Sequence, residues 1–87
     1  MLGEVEKVLV LSTAHMPSSL PDFGEIRHVE HDFGFIVFVC LDDEEREMKL
    51  APEWLRPLIK IANGQQCNYI NFDADAPVDG NLNVWEW

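Results

Sequence analysis

The sequence predicts a small α+β domain, a two-layer sandwich in which a mixed sheet of four to five strands packs on one main helix. Short apolar runs of strand length lie between turn-forming residues, and a single later segment carries apolar residues at helical spacing. The order of these segments is strand, loop, strand, strand, helix, strand, which is neither a βαβ alternation nor an all-β pattern.

Residues 5–12 (VEKVLVLS) are β-branched and nearly continuous in apolar residues, the pattern of a central strand covered on both faces. Residues 14–24 hold two Pro, two Ser and a Gly, which allows a crossover loop with at most one helical turn, starting near Ser18. Residues 25–31 (EIRHVEH) alternate weakly, and the Asp32-Phe33-Gly34 turn leads into residues 35–41 (FIVFVCL), so the two segments form an antiparallel hairpin. The second hairpin strand is apolar on both faces and is expected beside the first strand in the middle of the sheet, with residues 25–31 nearer an edge.

Asp42, Asp43, Glu44, Glu45 and Glu47 crowd the next connection. Like charge this dense is tolerated where water screens it, so an exposed loop is expected. In residues 52–63 (PEWLRPLIKIAN), Trp54, Leu55, Leu58, Ile59 and Ala62 recur at helical spacing, and Asn63-Gly64 supplies a stop. Pro57 has no backbone donor, so the first turn is 3₁₀-like or the regular helix begins close to Arg56. Residues 68–73 (NYINFD) place Ile70 and Phe72 on one face, and residues 82–87 (LNVWEW) supply a candidate fifth strand. Two strands apolar on both faces against one helix leave a sheet face to cover. The candidates are residues 16–23, the terminal Trp85 and Trp87, or a second copy of the chain in a homodimer.

With 87 residues there is room for one core, read as a single domain over residues 1–87. The apolar fraction of 47% is that of a globular chain rather than a disordered one. Sixteen Asp and Glu against six Lys and Arg give a formal net charge of −10. Such a charge disfavours direct contact with nucleic acid and with anionic membranes, and favours basic protein surfaces. It also serves solubility alone. Cys40 and Cys67 form no CxxC pair and have no His at zinc-ligand spacing, so both are read as buried, reduced thiols of a cytosolic protein. The first residues lack the basic start and long apolar stretch of a signal peptide, and no apolar run reaches the roughly 20 residues of a membrane span.

Three constellations bear on chemistry. His15 directly follows the first strand, and Asp73 and Asp75 follow the strand of residues 68–73. If these strands are parallel neighbours, the three can converge as a divalent-metal or acid/base site; the plainer reading, which the residue types favour, is that His15 bonds its loop and the acids shape a turn. His28, Glu30, His31 and Asp32 form a second cluster, but alternation puts His28 and Glu30 on one strand face and His31 on the other, which suits a surface strand better than a metal site. The third constellation is the acids: Glu25, Glu30 and Asp32 on the hairpin, Asp42, Asp43, Glu44, Glu45 and Glu47, then Asp73, Asp75 and Asp79. A compact protein displaying a row of carboxylates can occupy a groove built for phosphates. Trp85 and Trp87 are the better interface anchors, while Trp54 belongs to the core. There is no GxSxG, HExxH, P-loop or GxGxxG motif, so neither catalysis nor a cofactor is expected.

At residues 8–15 (VLVLSTAH), 32–37 (DFGFIV), 52–55 (PEWL) and 72–75 (FDAD), the chain resembles a family of short uncharacterised proteins carried by phages, plasmids and related mobile elements. The resemblance runs over most of the chain. It departs from the family after STAH, where a Pro-rich PSSLPDF stands in place of a helix. Small acidic proteins of mobile elements are similar to anti-defence inhibitors, anti-CRISPR proteins among them. The resemblance therefore implies a stoichiometric inhibitor, cytoplasmic in a bacterial host, that acts as an acidic nucleic-acid mimic. Its partner would be a basic nucleic-acid-binding protein such as a CRISPR effector subunit. On this reading Glu30, Asp32, Asp42, Asp43, Glu44, Glu45, Glu47, Asp73, Asp75 and Asp79 bind the partner. The alternatives are a small metal-binding protein or enzyme using His15, Asp73 and Asp75, and an accessory interaction protein without inhibitory role.

Overall fold

Each strand forms where apolar residues alternate between turn residues. In the computed structural model, which describes residues 6–40 and 42–85, β1 (Val8–Ser12), β2 (His28–His31), β3 (Gly34–Phe38) and β4 (Tyr69–Asp73) make one four-stranded sheet in the order β1-β4-β3-β2. β4 runs parallel to β1 and antiparallel to β3, and β2 and β3 form the expected hairpin. The fold is thus a small α+β sandwich with a mixed sheet. Val5, Leu41, Glu86 and Trp87, which the expected strands include, lie outside the described residues. Residues 82–85 form no fifth strand.

The expected neighbours β1 and β3 are separated by β4, so β1 is an edge strand and not a central one. Its apolar run does not reflect cover on both faces. Leu9 and Leu11 face the core, while Val8 and Val10 point the other way and remain 47% and 52% exposed. On the core side, Leu11, Phe35, Val37, Ile70 and Phe72 meet Leu55, Leu58, Ile59 and Ala62, and residues 13–27 close over them with Met16, Phe23 and Ile26. Trp54 stacks obliquely on Phe23 and Phe72, with ring centroids 5.6 and 5.9 Å away, and its indole N–H donates to the Asp22 carbonyl at 2.8 Å.

Two helices, of seven and nine residues, stand where one main helix was expected: α1 (Glu44–Leu50) and α2 (Arg56–Gly64). The acidic stretch is therefore helical from Glu44 onward rather than a loop. The Asp43 carboxylate caps α1 by accepting the Arg46 N–H at 3.1 Å. Glu44, Glu45 and Glu47 lie in the first turn and Lys49 in the last, which suits the helix dipole at both ends. α2 begins at Arg56, where Pro57 costs nothing because the first-turn N–H groups of a helix have no intrahelical acceptor. Its end is a Schellman turn: Cys67 N–H donates to the Ala62 carbonyl at 2.8 Å and Gln66 N–H to that of Asn63 at 3.0 Å, with Gln66 at φ +58°.

The helical turn expected near Ser18 lies earlier, as a 3₁₀ turn over Thr13–His15 capped by the Ser12 hydroxyl, which accepts the Ala14 N–H at 3.1 Å. At the hairpin turn, a Cβ on Gly34 would stand 1.8 Å from the Phe72 carbonyl oxygen, so only glycine lets β3 and β4 pair this closely. Cys67 is buried as expected, but Cys40 is exposed at the exit of β3; both are free thiols. Among the described residues no helix is long and apolar enough to cross a membrane.

Candidate functional site

The parallel pairing of β1 and β4 brings the residues after both strands to one end of the sheet, with Ser12 opposite Asp73. His15 lies there, 1% exposed. Its Nδ1 donates to the Asn83 carbonyl at 2.8 Å, and its Nε2 accepts the Asp79 N–H at 3.0 Å. An acceptor on one nitrogen and a donor on the other fix a neutral ring protonated at Nδ1. Both ring nitrogens are thus committed to backbone groups, and the imidazole acts as a peg that holds residues 79–83 against the end of β1. Trp85 continues this anchoring: its N–H donates to the Ala14 carbonyl at 3.0 Å, and its side chain lines a cleft with Trp54, Pro57 and Leu58 on the helical side.

The other histidines are engaged as well. His31 Nε2 donates to Asn71 Oδ1 at 2.8 Å while its Nδ1 accepts the Phe33 N–H at 3.1 Å, and His28 Nδ1 donates to the Ile26 carbonyl at 3.0 Å. The register places His28 opposite Val37 on the core side and His31 opposite Gly34 on the other, as alternation predicts. Among the described residues, no three His, Cys, Asp or Glu side chains are arranged to hold a metal ion.

The carboxylates do not form one row. β3 runs from Gly34, opposite Asp73, to Phe38, opposite Tyr69. Asp32, Asp73, Asp75 and Asp79 therefore gather at one end of the strands, whereas Asp42, Asp43, Glu44 and Glu45 follow β3 at the other. Glu30 is exposed on the β2 edge. Several of these acids also shape their own backbone: Asp73 accepts the Asp75 N–H at 2.8 Å, Asp79 the Asn81 N–H at 2.9 Å, and Asp43 caps α1. Glu47 stands apart. It is 7% exposed and turned inward, where Oε1 accepts the Cys40 N–H and ties the exit of β3 to α1. That leaves Glu47 outside the solvent-facing acids with which the sequence groups it.

Among the described residues nothing covers the sheet face away from the helices; Trp87, a candidate cover, lies outside them. Neither residues 16–23 nor Trp85 covers it, because both pack on the helical side. Val8, Val10 and Val29, each about half exposed, share this face with Ile36, Phe38 and Tyr69. Across it runs a chain of contacts that the sequence does not reveal. The Arg27 guanidinium lies 5.0 Å from the Phe38 ring centroid, the Phe38 and Tyr69 rings meet edge-on at 5.3 Å, and the Tyr69 hydroxyl donates to Glu6 at 2.7 Å. These residues are far apart in the chain and meet only through the β2-β3-β4-β1 register, so no local motif announces them.

No curated protein and no solved structure is significantly similar to the chain. Residues 8–87 match the C-terminal domain of a family of unknown function, DUF5983, and with all but the first few residues matched the chain belongs to that family.

Proposed function

We propose that this domain is a stoichiometric, non-catalytic inhibitor that binds the basic, nucleic-acid-contacting surface of a bacterial defence complex, in the manner of anti-CRISPR proteins carried by mobile elements. On this reading it works in the host cytoplasm as an acidic mimic. The observation that carries the proposal is the division of the exposed carboxylates into two groups at opposite ends of the sheet, in a chain of net charge −10. β4 alone separates the groups by roughly 13 Å at about 3.3 Å per residue. This is close to the ~12 Å width of a B-form major groove, whose walls are two rows of phosphates. Arg and Lys side chains placed to grip those rows would find carboxylates instead.

The test is affinity capture of the tagged protein from a bacterial lysate that carries CRISPR and other defence systems, at low and then high salt. Recovery of a nucleic-acid-binding complex at low salt, lost at high salt, is expected. It should also be lost when Asp42, Asp43, Asp73 and Asp75 are changed to Asn and Glu44 and Glu45 to Gln, substitutions that keep the caps and turns but remove charge. Capture that ignores both salt and these changes would exclude mimicry.

A second reading, an accessory interaction protein without inhibitory role, is favoured by the open apolar face of the sheet. It predicts that the captured complex still binds its nucleic acid, whereas an inhibitor displaces it.

A further inference from the structure

Residues 79–85 lie against the end of β1 with little to hold them. Residues 79–81, 83 and 84 are exposed, and only Leu82 and Trp85 are half-buried. Among the described residues, three hydrogen bonds tie this segment to the rest of the chain: the Trp85 N–H donates to the Ala14 carbonyl, and the other two end on His15. One imidazole thus supplies two of the three. It can do so only while neutral, because Nε2 accepts the Asp79 N–H through the lone pair that a second proton would occupy. An imidazolium carries an N–H at both nitrogens. Its Nε2–H and the Asp79 N–H would face each other across 3.0 Å, at a side chain only 1% exposed. Two buried donors without an acceptor are costly, so the ring and the segment must part before the proton is held.

We propose that residues 79–85 are an acid-released latch, held closed by neutral His15 and opened when the ring takes a second proton. The charged groups around the ring offer the cation no partner in the closed form. On the latch itself, the Asp79 carboxylate accepts the Asn81 N–H; at the end of β4, that of Asp73 accepts the Asp75 N–H. Asp75 and, from the hairpin turn, Asp32 gather at the same end of the sheet, and both ring nitrogens are already taken by backbone groups. The field of these acids draws protons to this end without accepting a bond from Nε2. On the helical side, Trp54, Pro57 and Leu58 line the cleft beside the ring, all uncharged, with Glu53 and Arg56 farther out along it and opposite in sign. The direction follows from counting protons. The closed form leaves the ring with one, whereas a ring released into water takes a second below about pH 6.5. The closed form is therefore favoured at higher pH, and each unit below that value shifts the balance toward the open form by up to about ten-fold. Opening bares the Pro57 and Leu58 wall of the cleft, which Leu82 and Trp85 line from the other side. The latch operates whatever the acidic groups bind.

The experiment is amide hydrogen exchange by nuclear magnetic resonance from about pH 7.5 to about pH 5, the range in which histidine changes charge. Rates are expressed as protection factors, which removes the intrinsic pH dependence of exchange, and the ring nitrogen shifts of His15 are followed in the same samples. Asp79 and Trp85 should lose protection by up to roughly thirty-fold across this range. Ile70, in the core, should keep its protection, and the ring should gain its proton at the same midpoint as Asp79 is released. The comparison is His15→Gln, whose amide oxygen can accept the Asp79 N–H and whose amide nitrogen can donate to the Asn83 carbonyl, but which does not titrate. It should hold Asp79 equally well at both ends of the range. Constant protection of Asp79 in the wild type overturns the proposal. So does a ring that gains its proton while Asp79 stays protected, a loss shared equally by Ile70, or the same loss in His15→Gln. Should that variant fail to fold, the wild-type ring decides: a proton on Nδ1 alone at neutral pH and coincident midpoints support the latch, and a proton on Nε2 at neutral pH or separate midpoints overturn it.

Discussion

His15 and Asp79 stand 64 residues apart in the chain, yet the backbone N–H of Asp79 donates to His15 Nε2 at 3.0 Å. Removing the ring strands that N–H and the Asn83 carbonyl together, and leaves a cavity where a side chain 1% exposed had been. His15→Ala should therefore cost about 2–4 kcal/mol of stability, read as a lower urea midpoint with an unchanged slope. Amide exchange at Asp79 should accelerate more than at Ile70 in the core. Equal acceleration at both would mean that the ring does not pin residues 79–83 locally.

Gly34 and Gly80 form a matched pair for a second measurement. A Cβ at Gly34 meets the Phe72 carbonyl oxygen at 1.8 Å, whereas one at Gly80 meets nothing within 4 Å. Gly34→Ala must push β3 away from β4 and should destabilise by about 3 kcal/mol or more, while Gly80→Ala should stay within about 0.5 kcal/mol of wild type. A tolerated alanine at position 34 would contradict the register of the central strand pair.

Glu47 makes a prediction that divides the acidic stretch. Its carboxylate accepts the Cys40 N–H in a buried position, while Glu44 and Glu45 are exposed and the Glu45–Lys49 pair, at 4.0 Å, is solvated. Glu47→Ala should cost about 1–3 kcal/mol by orphaning the Cys40 N–H, and Glu47→Gln should recover most of it through its amide oxygen. Glu44→Gln and Glu45→Gln should each change stability by no more than about 0.5 kcal/mol. Thermal unfolding of the four variants side by side measures this. Equal effects at all three positions would mean that charge density, not the inward bond of Glu47, governs the segment.

The same residues show what was legible in the sequence. The hairpin, β4 and the start of α2 at Arg56 follow from alternation, a glycine turn and the missing donor of Pro57, all local signals. The α1 helix was obscured by reading charge as exposure alone. Asp43 followed by three glutamates in one turn is also the signature of a capped helix N-terminus, and the structure follows that signal. The place of β1 was misjudged because the run Val8 to Leu11 reads as double-sided burial, whereas Val8 and Val10 lie on an open face. The position of His15 at a strand end was legible. Its role was not, because its partners are backbone groups of a segment that reaches it only once β1 and β4 have paired. For the same reason the chain of contacts from Arg27 through Phe38 and Tyr69 to Glu6 is visible only once the strands have paired.

Gln66 offers a change that should stabilise. It holds φ +58° in the Schellman turn that ends α2, a conformation in which a side chain crowds its own carbonyl at a cost of roughly 1–2 kcal/mol and glycine does not. Glycine at this position would enlarge the unfolded ensemble, which offsets part of the relief. The balance favours substitution, because Gln66 is exposed and loses no buried contact. Gln66→Gly should raise stability by about 0.5–1 kcal/mol, seen as a higher melting temperature, with the Cys67 N–H exchanging more slowly as its bond to Ala62 tightens. Gln66→Val should move both readings the other way, since a β-branched residue fits the left-handed region least well. If glycine lowers the melting temperature instead, the turn must be held by the Gln66 side chain and not by the two backbone bonds from Gln66 and Cys67.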